Sequence, residues 1–232
     1  MDDHADQLYD AIHADSALWD RVAVFADRYP RRISGSRILE DGIDWIIGQM
    51  RSEGWGVRTQ EVTVPNWKRG KEWLRMTSWP SHDMPMLGLG GSVGTAGAPL
   101  SADVLVVRDE KDLARRGRSQ AQGKIIVWNV PFTSYSETVR YRYDGPAEAA
   151  KYGAVASLVR SIGPFGMQTP HTGSTGYVDS LPKIPAAAIT MEDAMLMQRM
   201  QDRGEPIHVE LYMEGHFEAS ATSRNIIIAI PG

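Results

Sequence analysis

The sequence predicts a mixed protein, α+β where helices gather at the front and α/β through the middle. Three observations carry this. Apolar residues recur at helical spacing between Leu8 and Met50. Short apolar strands then alternate with helical stretches between Ala102 and Met213. Finally, Asn225 to Ile230 (NIIIAI) is a continuous apolar run, the pattern of a strand covered on both faces inside a parallel sheet.

The elements follow in order. Leu8 and Ile12 lie one turn apart. Asp15 and Ser16 are the predicted caps for a helix carrying Leu18, Val22 and Phe25, which Pro30 ends. Ser36 is the predicted cap of a second helix with Leu39, Ile43, Ile46, Ile47 and Met50 on one face, and Gly54 suits its left-handed exit. Val57 to Val64 is polar but β-branched and closed by Pro65, so it reads as an edge strand. After Pro65 the texture shifts to short strands and frequent turns. Strands are expected at Trp73 to Trp79, Ala102 to Val107, Lys124 to Val130, Ala154 to Val159 and Ala186 to Ile189. A helical turn is expected within Asp109 to Arg118, and Pro146 suits the first position of a helix over Ala147 to Tyr152. Thr190 with Asp193 approaches a capping box for the helix that Gly204 ends. Ile207, Val209, Leu211 and Met213 alternate with polar residues, giving a strand with one wet face. Gly88 to Gly97 and Gly163 to Asp179 read as loops.

Composition excludes several classes. The 232 residues are 42% hydrophobic and 23% charged, with a formal net charge of -4 and no basic block that would suit nucleic acid. No apolar run is long enough to span a membrane, and no signal core follows the acidic start. The absence of cysteine removes disulfides, thiolate metal sites and a cysteine nucleophile. GLGGSVG, from Gly88 on, has the letters of a phosphate loop. The next element is a strand rather than a helix, so a loop is expected instead of a cofactor site. No histidine pair has HExxH spacing, there is no GxSxG serine, and His208 with Glu210 reads as a solvated strand face. The methionines from Met191 to Met200 read as helix packing. His171 and Thr172, in the loop Thr169-Pro170-His171-Thr172-Gly173, are the candidate substrate-facing residues.

Several segments taken together resemble a known family. GKIIVWN (Gly123 to Asn129), AEAAKYGAVASLVR (Ala147 to Arg160) and KIPAAAITMEDA (Lys183 to Ala194) are similar, in order, to the protease-associated domain inserted in several peptidases. Tyr29 to Trp55, VPNWKRGKEW (Val64 to Trp73), LGLGGSVGT, RYRYDGPAEAAKYGA, TPHTG and SRNIIIAIPG resemble zinc-dependent exopeptidases of the carboxypeptidase Q and aminopeptidase Y kind. The resemblance covers roughly Ala17 to Gly232.

The resemblance implies a peptidase α/β domain with a protease-associated insert. Residues 1–65 would be the helical front of the peptidase domain, 66–218 the insert, and 219–232 the first returning strand. It also implies two zinc ions held by histidines and carboxylates, a glutamate base, and small peptides or dipeptides as substrates. The family's first His-x-Asp ligands lie one strand beyond NIIIAI. The chain is therefore expected to be a truncated catalytic sheet without catalytic or metal-ligating residues of its own, inactive alone. The insert would serve as lid or wall and leaves room for a homodimer contact; an exported location follows from the family. The alternatives are a non-catalytic protease-associated interaction module and a degenerate pseudoenzyme.

Overall fold

The computed structural model describes residues 2–229. In chain order the elements are α1 (Asp2–Ala14), α2 (Ala17–Arg28), α3 (Arg37–Ser52), β1 (Val57–Val64), β2 (Trp67–Lys68), β3 (Glu72–Met76), β4 (His82–Met84), β5 (Met86–Gly88) and β6 (Leu100–Val107). They continue with α4 (Glu110–Ala121), β7 (Ile125–Trp128), α5 (Tyr135–Thr138), α6 (Arg140–Tyr143), α7 (Gly145–Lys151) and β8 (Ala156–Arg160). The last are β9 (Ala186–Ile189), α8 (Met191–Asp202), β10 (His208–Met213), β11 (His216–Phe217) and β12 (Ala221–Ile228). They form two compact units. One runs from the N-terminus to Asn66 and resumes at Glu218; the other is Trp67–Phe217.

In the first unit, Ser36 caps α3 by accepting the Leu39 N–H at 3.3 Å. The helix buries Gly42, Ile43 and Ile47, and Trp45 stacks on Phe25 of α2 with ring centroids 5.8 Å apart. Glu40 and Asp44 of α3 grip β12: the Arg224 guanidinium meets them at 3.1 and 2.9 Å, and Ser223 donates to Glu40 at 2.6 Å. At the start of α2 the capping role falls to Asp15, which accepts the Ala17 N–H at 2.8 Å, while the Ser16 side chain makes no cap bond. Leu8, Ile12, Leu18 and Val22 keep the helical spacing read from the sequence, yet all four side chains are exposed.

The expectation for the last strand is corrected. β12 does have a neighbour: it pairs antiparallel with β1 over its full length, from Val57↔Ile228 to Val64↔Ala221. Ile226 and Ile227 are half-buried and Ile228 is exposed, so this strand is not covered on both faces among the described residues. Its partner is β1, the polar, β-branched segment that the sequence marks as an edge strand. Ile230, the end of the expected run, lies outside the described residues.

The second unit is built on one mixed sheet, in the order β4-β3-β10-β6-β7-β8-β9-β5. Its centre, β6 to β9, is parallel; β10, β3 and β4 on one side and β5 on the other are antiparallel. Alternation along the parallel strands splits the core between the two faces. Val104, Val106, Ile125, Val127, Leu158 and Ile189 pack with Ala194, Met197 and Met200 of α8. Leu105, Val107, Ile126, Trp128, Ala186 and Ala188 pack with Leu113 of α4 and Ala149 of α7. Thr190 caps α8 by accepting the Asp193 N–H at 3.0 Å, as the spacing predicts. The segment read as a helical turn is longer, Glu110–Ala121, and is broken at Gly117, whose φ is 67°. The Trp73 to Trp79 strand stops at Met76. The two- and three-residue strands β2, β4, β5 and β11 are too short for any periodicity to announce.

Gly145 shows how tightly α7 is laid on the sheet. A Cβ there would sit 2.8 Å from Trp128 Nε1. That indole is fully buried and donates to Ser157 Oγ at 3.0 Å, so it has nowhere to move. Gly145→Ala is expected to destabilise the chain by about 1–3 kcal/mol through overpacking. Gly48→Ala, on the exposed face of α3 with open space around it, is expected to stabilise by about 0.5–1 kcal/mol. Denaturant midpoints of the two variants check the contrast.

Candidate functional site

The two loops singled out in the sequence meet. Gly90 donates its N–H to Gly173 O at 2.7 Å, and Thr175 donates to Gly90 O at 3.0 Å, so Gly90 and Ser174 form a parallel bridge. The glycine-rich loop is filled by the protein's own polar groups. Ala186 N–H donates to Ser92 Oγ and the Trp67 indole to Ser92 O, each at 2.8 Å, and Tyr177 OH caps Ile184 O at 2.6 Å. At Gly94 a Cβ would collide with the Met213 carbonyl, so that glycine serves close backbone packing.

His171 and Thr172 sit where this loop leaves the sheet. Ser161, the first residue after β8, donates to Ile189 O at 2.7 Å and accepts the His171 N–H at 2.8 Å. The His171 Nδ1 lies 2.7 Å from Ile162 O. A carbonyl can only accept, so Nδ1 carries a proton and donates to it. The side chain is exposed, with its ring centroid 6.3 Å from that of Tyr135. Thr172 is more firmly held: its hydroxyl donates to Gly88 O at 3.0 Å and its carbonyl accepts from Arg142 Nη1 at 3.2 Å.

Arg142 is the residue that sequence reasoning missed. It is buried on the short α6, its Nη2 donates to Tyr135 OH at 2.9 Å, and its guanidinium lies against Gly173, leaving no space for a Cβ there. A buried guanidinium that holds a loop by its carbonyl is a positioning device. The only sequence hint was its place between tyrosines in RYRYDG, which carries no periodicity.

His208 and His82 are held by neighbouring side chains. His208 bridges Asp103 and Ser101, each at 2.9 Å. His82 Nε2 faces Asp193 at 3.3 Å. Among the described residues no group of three or more His, Asp or Glu side chains converges as a metal site, so these residues do not fit a di-zinc centre. No helix among the described residues is long and apolar enough to cross a membrane.

No family model matches the chain. Individual relatives do. Carboxypeptidase Q of Bos taurus is 42% identical over 220 residues, covering 94% of this chain and 46% of that protein. The chain is thus similar over nearly its whole length to zinc exopeptidases of the carboxypeptidase Q and aminopeptidase kind. Carboxypeptidase Q of Homo sapiens is 41% identical over 220 residues, again 94% of this chain and 46% of that protein. The chain thus spans about half the length of the curated relatives it matches. The crystal structure of a peptidase M28 precursor from Shewanella amazonensis superposes with a TM-score of 0.90 at 29% identity, over 97% of this chain and 52% of that one. A zinc aminopeptidase from Bacillus subtilis shares the fold, with a TM-score of 0.59 at 20% identity over 89% of this chain and 45% of that one.

If Arg142 organises the loop, Arg142→Leu should leave the Thr172 carbonyl and Tyr135 hydroxyl without their donor. The expected cost is about 2–4 kcal/mol of stability, with faster hydrogen exchange at Gly90 and Thr175 N–H than in the wild type. Unchanged exchange at those two amides would show that the loops hold each other without it.

Proposed function

We propose that this chain is the N-terminal and lid portion of a di-zinc exopeptidase that hydrolyses small peptides or dipeptides, with the metal ligands and general base supplied by residues outside it. The observation that carries the reading is the 42% identity to carboxypeptidase Q over 220 residues. In this reading the unit Trp67–Phe217 is a protease-associated module. It is supported by the succession of β7, the Ala-rich α7, β8, β9 and α8, which carry the three motif segments in order. The unit beginning at the N-terminus would contribute α3, β1 and β12 to the catalytic domain. The loop bearing His171 and Thr172 would face substrate, with the His171 ring exposed and Thr172 held in place by Gly88 and Arg142.

Dipeptide hydrolysis tests this directly. The native polypeptide containing this chain is expected to hydrolyse dipeptides with free ends, and chelation followed by zinc should abolish and restore turnover. The purified 232-residue chain is expected to show no chelator-sensitive turnover. Turnover by that chain would overturn the placement of the catalytic groups. A native polypeptide that folds and binds peptides without cleaving them would favour an interaction module instead.

A further inference from the structure

A second cluster lies at the carboxyl ends of the parallel strands, where Arg160 immediately precedes the Ser161 that tethers the His171 loop. Val107, Trp128 and Val159 are in register across β6, β7 and β8. The next residues along, Arg108, Asn129 and Arg160, therefore emerge side by side. One face of α8 closes the space with Met195, Gln198 and Arg199, at helical spacing i, i+3 and i+4. Together with Pro131 these residues line a cavity of about 330 Å3. The carboxyl ends of parallel strands are where α/β sheets place ligands.

Its chemistry is lopsided. Three guanidiniums line the cavity and no carboxylate does. Asp202 stands at the edge, 4.0 Å from Arg108 Nη2 and accepting from Gln198 Nε2 at 2.9 Å. Among the described residues, no carboxylate pairs with Arg160 or Arg199. Arg160 reaches only the Asn129 amide oxygen, at 3.4 Å, and its Nε is buried without an acceptor; Gln198 Oε1 is likewise buried without a donor. Burial draws the Arg160 pKa below the ordinary arginine value, with nothing anionic to offset it. Natural structures pair buried polar groups almost always, so such a cluster is a cradle awaiting its counter-charge. Pro131 and Met195 add an apolar wall beside the cations.

We infer that this cavity binds the carboxylate of a small apolar acid, as carried by the C-terminal residue of a peptide, with Arg160 and Arg199 gripping the carboxylate and Met195 and Pro131 receiving the apolar group. The site goes beyond the peptidase reading and does not rest on it, since every residue involved is in this chain.

Calorimetric titration of the 232-residue chain at low ionic strength tests the inference, with N-acetylleucine, N-acetylleucinamide and inorganic phosphate as probes. Saturable binding of N-acetylleucine is expected, at least about tenfold tighter than that of the amide or of phosphate. Arg199→Gln, on an exposed helix face, should weaken it roughly tenfold or more, as expected for loss of a charge-assisted hydrogen bond. Arg160→Gln should do the same with its unfolding midpoint measured alongside. Equal binding of the amide, preference for phosphate, no saturable binding, or an Arg199→Gln variant that binds as well as wild type would each overturn it.

Discussion

The double-sided burial of the parallel strands β6 to β9 is the constraint on which the Trp67–Phe217 unit depends. These four strands have no solvent face in their centre: Val106, Ile125, Ile126, Val127, Trp128, Leu158, Ala187 and Ala188 are all fully buried. Parallel strands cannot be joined by hairpins, so the chain must cross over between them, and those crossovers supply the α4 and α7 cover. α8 follows β9 and closes the other face. Everything of functional interest then hangs from the rims. The paired loops are tethered beside β5 and β8, and the arginine-lined cavity sits in the row of residues just past Val107, Trp128 and Val159.

Each rim feature is held by polar groups fixed against this core. Ser161 can orient His171 because it is itself tied to Ile189 O. Arg142 can present its guanidinium to Thr172 because α5 and α6 pack beside Trp128, whose ring lies 5.7 Å from that of Tyr141. A rigid sheet with loops at its edge is the usual way a fold separates stability from recognition. The two faces of the parallel strands can therefore be largely apolar while their rim gathers cations.

Much of this was legible in the sequence. The apolar runs of β7, β8 and β9, the Thr190 cap and the alternation of β10 follow from periodicity and capping chemistry. The loops around Gly88 and His171 were recognisable as loops, but nothing local said that they pair, because that contact joins residues far apart in the chain. β12 and Val57 to Val64 were both legible as strands, but nothing local said that they pair, because that ladder joins residues far apart in the chain. Arg142 and Arg160 were invisible for a related reason. A lone arginine carries no period, and its burial is decided by neighbours that the fold alone assembles.

Residue-resolved hydrogen exchange on the whole 232-residue chain is the most direct test of the sheet's central role. The amides of Ile126, Val127, Leu158 and Ala188 should exchange slowest, only through global unfolding of their unit, while β12 amides exchange through smaller openings. Exchange of the β7 and β8 amides ahead of those in the rim loops would contradict an account in which the parallel strands hold the rest of the Trp67–Phe217 unit in place.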